Sequence, residues 1–191
     1  MMKWFLGRSI GQFERRFEYD ATYLRHLLEV SPEAFLRFSG VKLLGGYVRD
    51  VPPAVFHAAS IRSALRADCG PCVQLVVRFA ELDGVDPSTL RAIVKGELDA
   101  LDEPVRLGAL FAEAVLDRAP AMDELRERLR DLYGERALIS LTFGILGSQL
   151  YPTLKYALGY GRTCAAVRIG GESIVPSEPL ALGQEEHGYA V

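Results

Sequence analysis

The sequence predicts an all-α protein closed by a small C-terminal β-hairpin or arm. Three observations carry that prediction. Apolar residues recur at three- and four-residue intervals from Ile10 through the middle of the chain and beyond, the period of helices with a buried face. Helix openings at Ser31-Pro32-Glu33 and Asp86-Pro87, and closures at Gly45-Gly46, Gly84, Gly96 and Gly134, punctuate that pattern. Beyond Gly161 the character changes to two short apolar runs on either side of Gly170-Gly171, the signature of a hairpin around a diglycine turn.

In chain order, Ile10, Phe13 and Phe17 mark a first helix. Tyr23, Leu24, Leu27 and Leu28 mark a second, with Asp20 as its N-cap. Ser31 caps a third, expected to run through Leu44. Pro52-Pro53 opens the next, whose inward stripe holds Phe56, His57, Ile61 and Leu65. Over residues 72–82 only Gln74, Arg78 and Glu81 interrupt the apolar residues, so this helix is expected in the middle of the fold. A short helix follows, with Leu90, Ile93 and Val94 on one face. Val105, Leu107, Phe111 and Ala114 mark an amphipathic helix over 104–118, and Leu125, Leu129 and Leu132 a more charged one. The last begins near Glu135 and contains Pro152, expected to kink or divide it. Residues 164–169 and 172–175 form the hairpin, and the tail from Pro176 is expected to be mobile or to dock on a neighbour.

A chain of 191 residues is long enough for one domain with a substantial core. Residues 1–50 read as a helical extension of that domain, 51–162 as its core and 163–191 as hairpin and tail. Net charge is −3, with 18 arginines and four lysines dispersed among acids, so neither nucleic acid nor a membrane is expected as a partner. Trp4-Phe5-Leu6 is too short for the apolar run of a signal peptide, and a reducing, cytoplasmic setting is expected. Residues 137–154 carry no formal charge, the lower limit for a spanning helix. With Ser140, Thr142 and Gln149 among them, they read as a buried core or subunit-interface helix. A homo-oligomer, dimer or trimer, is the expected assembly.

The chemistry centres on Cys69-Gly70-Pro71-Cys72. Thiols at this spacing open and close a disulfide at little cost. A helix starting at the pair would hold both sulfurs in its first turn, where free N–H groups and the dipole favour thiolate. Cys69 would be the outer sulfur and Cys72 one turn inside. The pair also admits other readings: half of a zinc site completed from Cys164, His26, His57 and His187, a structural disulfide, or two inert thiols. None of those ligands stands at finger-like spacing, and a reducing compartment disfavours a structural disulfide. Redox-active thiols without a cofactor or metal are therefore the expectation. Asp68 is expected to cap the helix, with a carboxylate beside Cys69 as the alternative. Cys164 reads as a small buried residue, and Tyr151, Tyr156 and Tyr160 as core or pocket wall.

The tetrapeptide is that of the thioredoxin active site, which follows a β-strand in an α/β fold; here the preceding stretch is helical. The arrangement of Asp68-Cys69-Gly70-Pro71-Cys72 followed by Gly84-Val85-Asp86-Pro87-Ser88-Thr89-Leu90 instead resembles the AhpD-like superfamily, which includes alkylhydroperoxidase proteins and carboxymuconolactone decarboxylases. The resemblance implies an AhpD-like helical bundle, an oligomer, with Cys72 attacking peroxide and Cys69 resolving. Its peroxidases relay the thiol proton through a glutamate twelve positions before the first cysteine and a histidine four after the second; here those positions hold His57 and Val76. His57 remains a candidate proton acceptor, whereas Val76 makes the thiol's surroundings apolar and opposes thiolate formation.

The function expected is a thiol-disulfide oxidoreductase or weak peroxidase using Cys69, Cys72 and His57. It would act on a small peroxide or disulfide and be recycled by a dihydrolipoyl or thioredoxin-like donor. A catalytically inactive ligand-binding or interaction module is the alternative. A cofactor-free decarboxylase-like enzyme, with His57 and Glu81 as bases, is a third.

Overall fold

The computed structural model describes residues 2–163 and 166–177. Its elements run α1 (Met2–Phe17), α2 (Thr22–Val30), α3 (Pro32–Ser39), α4 (Val41–Gly45), α5 (Pro53–Arg66), α6 (Gly70–Leu82), α7 (Pro87–Lys95), α8 (Glu103–Asp117), α9 (Met122–Tyr133), α10 (Glu135–Ala157), β1 (Val167–Ile169) and β2 (Glu172–Ile174). The protein is all-α with a small hairpin, as its periodicity predicts.

Several helix starts are made by the residues that announce them. Ser31 Oγ accepts the Ala34 N–H at 3.2 Å, and Asp86 Oδ1 accepts the Ser88 N–H at 2.7 Å, satisfying donors that the first turn leaves orphaned. Asp20 accepts the Thr22 N–H at 3.0 Å, one residue ahead of the N-cap Ala21. The third helix does not reach Leu44. It stops at Ser39, whose hydroxyl donates to the Phe35 carbonyl at 2.7 Å, and a separate turn, α4, follows Gly40. A serine bonding back to the previous turn competes with the helix's own ladder. Pro152 lies inside α10 without dividing it.

The middle of the fold is α5 rather than α6. Every residue from Val55 to Leu65 is buried, with α6, α7, α8 and α10 packed around it. Its composition explains this: Ala58, Ala59, Ser60, Ser63 and Ala64 are small enough for neighbours to approach on all sides. Two glycines close the contacts. A Cβ on Gly108 of α8 would lie 2.7 Å from the Val55 carbonyl oxygen, and one on Gly144 of α10 would lie 2.8 Å from both the Phe56 ring and Ser60 Oγ. Between α5 and α8, the fully buried Arg62 and Glu113 pair at 2.6 Å.

Helix α6 divides its apolar residues between two tasks. Val73, Val77 and Ala80 are buried in the main core, while Leu75, Val76 and Phe79 line a cavity. Its polar strip is a set of fasteners. The Gln74 amide donates to the Arg168 carbonyl at 2.9 Å and accepts its N–H at 2.7 Å. Glu81 Oε1 accepts the Gly170 N–H at 3.1 Å, and Arg78 binds Glu18 and the Phe17 carbonyl. The hairpin pairs Val167 with Ile174 in antiparallel register, with Val167 and Ile169 buried in the main core. Past β2, the Ser177 N–H donates to the Val94 carbonyl at 3.0 Å. Cys164 and the tail from residue 178 lie outside the described residues.

Helices α1 to α3 form a second apolar cluster around Ile10, Tyr19, Tyr23, Leu28 and Phe35, joined by Leu75 of α6 and Tyr151 of α10. Among the described residues, α10 is the one helix long and apolar enough to cross a bilayer. It buries Ala137, Leu138, Leu141 and Ile145 in the bundle and exposes Ile139, Leu146 and Leu150.

Candidate functional site

Cys69 is the N-cap of α6, in extended backbone, and Cys72 stands in the helix's first turn. The two are disulfide-bonded, with Cα atoms 5.2 Å apart. Cys69, not Asp68, is the N-cap residue; Asp68 precedes it in a left-handed turn at φ 45° that brings the chain from α5 into α6.

The order of the sulfurs is the reverse of that expected. Cys69 has no exposed surface, whereas Cys72 is 6 % exposed and lines the cavity. The cover over Cys69 comes from far along the chain. After α10 the backbone folds back so that the Gly70 N–H donates to the Arg162 carbonyl at 3.1 Å, and the Tyr156 hydroxyl donates to the Asp68 carbonyl at 2.7 Å. A first-turn N–H that helical spacing leaves free for a thiolate is thus already engaged.

The cavity, about 450 Å³, lies between the two apolar clusters. One stripe of α6, Cys72, Leu75, Val76 and Phe79, forms a wall, at the i, i+3, i+4, i+7 spacing of a single helical face. Helix α5 supplies Phe56, His57, Ser60 and Ala64, and α10 supplies Gly144, Gly147, Ser148 and Tyr151. Ile10, Tyr23 and Phe35 close it from the N-terminal helices. Val76 therefore does share the face of Cys72, and the thiol opens on apolar surroundings.

His57 lines the same cavity and is 3 % exposed. Its Nε2 lies 2.6 Å from Asp83 Oδ2, and its Nδ1 is buried with no hydrogen-bond partner among the described residues. Burial holds the imidazole below its ordinary pKa, opposed by the hydrogen bond and charge of Asp83. The ring is therefore neutral near pH 7, and the carboxylate fixes the tautomer: Nε2 carries the proton and donates it to Asp83, leaving Nδ1 basic. A buried base backed by a carboxylate can take a proton and stabilise the imidazolium that forms.

No spacing or motif in the sequence marks Asp83. It stands directly after α6, where an acid before Gly84 reads as ordinary helix-end chemistry. Nor does any mark the caged lysine of α10. Lys155 is 3 % exposed, with its ammonium 4.8 Å and 5.2 Å from the Tyr19 and Tyr23 ring centres. Burial lowers the Lys155 pKa and raises Tyr19 to about 12 and Tyr23 further. Both tyrosines line the cavity, so its floor is uncharged near neutral pH apart from the caged ammonium behind it.

The remaining candidates are dispersed. Glu81 faces the hairpin beside a separate cleft shared with Arg78 and Arg168, so it does not join His57 as a second base. Tyr151 lines the cavity, Tyr156 holds the turn at Asp68, and Tyr160 packs on His26 with ring centres 5.8 Å apart. Of the possible zinc ligands, Cys164 and His187 lie outside the described residues. Among the described residues no three metal-ligating side chains gather.

Fold and site define an all-α protein with a helix-borne cysteine pair, of which Cys72 lines an apolar cavity. Comparison with family models, with curated proteins and with solved structures finds no match to this chain.

Proposed function

We propose that this protein is a thiol-disulfide oxidoreductase, with weak peroxidase activity toward substrates that enter an apolar cavity. The observation that carries the reading is that Cys72 and His57 line one cavity while Cys69 stands behind it. Nδ1 of His57 accepts the Cys72 thiol proton, and Asp83 stabilises the imidazolium. With a hydroperoxide, the thiolate attacks the O–O bond; an alcohol leaves with the proton and Cys72 becomes a sulfenic acid. Cys69 then displaces water to close the disulfide. A donor dithiol, dihydrolipoyl or thioredoxin-like, restores both thiols and is itself oxidised. The AhpD-like resemblance supports the same division of labour, with the histidine on α5 and the carboxylate at the end of α6 in place of that group's relay. The setting is cytoplasmic, and the apolar stripe of α10 is covered by a second copy of the chain, so a gel-filtration mass of one 21.1 kDa chain would remove the oligomer.

Equilibration of the pair in dithiol–disulfide buffers tests the redox reading, with Cys69→Ser and Cys72→Ser as controls. The expected result is a reversible two-electron couple, with Cys72 titrating below the free-thiol value of about 8.5. A pair that stays reduced under mild oxidant, with no thiol titrating below that value, overturns it. Val76 against Cys72 favours a second reading, a ligand-binding module without turnover, which that negative result would select.

A further inference from the structure

The first turn of α1 carries apolar side chains that the bundle does not use. Met2, Trp4 and Phe5 are 56 %, 62 % and 61 % exposed, an arrangement that water disfavours. Met2, Phe5 and Ser9 follow one another at i, i+3 and i+7, on one face of the helix, and Ser9 lines the cavity. From α4, the exposed Lys42 also lines the cavity, and beside it Leu43 is 71 % exposed. Beyond the residues that line the cavity, α1 and α4 thus each present apolar side chains to solvent as a rim.

The formal charge on the first turns of α1 is of one sign, although the exposed Glu29 of α2 stands beside Lys3. Residues 2–13 contain Lys3 and Arg8 and no acid, and Lys42 adds a third cation. The Lys3 ammonium donates to the Glu29 carbonyl at 3.2 Å, in the last turn of α2. Arg8 lies over the Trp4 ring at 5.8 Å. Tryptophan and phenylalanine beside lysine and arginine are the composition that settles at the headgroup boundary of a bilayer. A second copy meeting this surface about a two-fold axis would bring the basic turns together; the uncharged stripe of α10 suits that partner better.

We propose that the first turn of α1, together with Leu43, docks on an anionic lipid bilayer and sets the mouth of the cavity against it. The whole-chain charge of −3 averages over these cations. The docking depends on the rim alone and is independent of the redox chemistry.

Trp4 is the chain's one tryptophan, so its emission reports on this turn directly. The full chain is titrated with phosphatidylcholine vesicles with and without phosphatidylserine, following Trp4 emission and co-sedimentation. Expected are a blue shift and partitioning that require phosphatidylserine, weakened about 30-fold in Lys3→Gln/Arg8→Gln and about tenfold in Leu43→Ser. A Cys69→Ser/Cys72→Ser variant should partition like the unaltered chain, which separates failure of the docking from failure of the redox reading. Absence of a shift on anionic vesicles, or unaltered partitioning of the charge variant, overturns the proposal. So does emission that shifts with protein concentration alone, which assigns the surface to a second copy.

Discussion

His57 of α5 and Asp83 at the end of α6 are joined by a 2.6 Å hydrogen bond that crosses between the two helices walling the cavity. The contact leaves the other ring nitrogen basic and buried. Asp83→Asn keeps the shape and removes the charge that supports the imidazolium. Hydroperoxide or disulfide turnover is expected to fall by about 10²-fold or more, with the reduction potential of the cysteine pair nearly unmoved. His57→Glu alone would set two carboxylates against each other; combined with Asp83→Asn it should recover part of the activity. Equal turnover in Asp83→Asn and the unaltered protein would take the dyad out of the reaction.

The same histidine predicts a pH dependence of stability. Burial depresses its folded-state pKa below the ordinary 6.5, so between the two values the unfolded chain binds more protons than the native one. Stability from this group is complete above about pH 6.5 and is lost as pH falls through the interval below it. Urea midpoints across mildly acid pH should therefore decline in the native protein, and decline less in His57→Gln.

The buried pair Arg62–Glu113 predicts a non-additive mutant cycle. Burial pushes the Glu113 carboxyl up, and the Arg62 guanidinium pulls it back toward the charged form. Glu113→Ala strands a buried cation and should cost about 3–5 kcal/mol in urea unfolding. Arg62→Met/Glu113→Leu should recover much of that loss, although Arg62 also donates to the Ile93 carbonyl and to Ser177 at 3.2 Å each.

Two glycines beside α5 predict unequal penalties. Gly108→Ala drives a methyl against the Val55 carbonyl, a backbone atom held within α5, whereas Gly144→Ala meets the side chains of Phe56 and Ser60. Each should cost about 1–3 kcal/mol, with Gly108→Ala the larger. Thermal unfolding of the two variants under one condition gives the order directly.

Local signals were legible in the sequence and long-range coverings were not. Ser31 and Asp86 cap the helices they precede, because capping engages groups within three residues. The face that Val76 shares with Cys72 follows from helical spacing. The central place of α5 does not, since it rests on small side chains admitting four neighbours, while the greater apolarity of α6 serves a core and a cavity together. The burial of Cys69 is likewise invisible locally: Arg162 and Tyr156, which cover its turn, stand about ninety positions away in the chain.

The amide of Gln74 meets both backbone groups of Arg168 as a neighbouring peptide unit would. Strands of three residues are too short to persist as an isolated ribbon, and an open edge invites pairing with another chain. One side chain on α6 here acts as a surrogate third strand. The β1 edge of the ribbon is closed from within the molecule, and the Arg168 amide should exchange its hydrogen at the pace of α6 rather than of a surface loop.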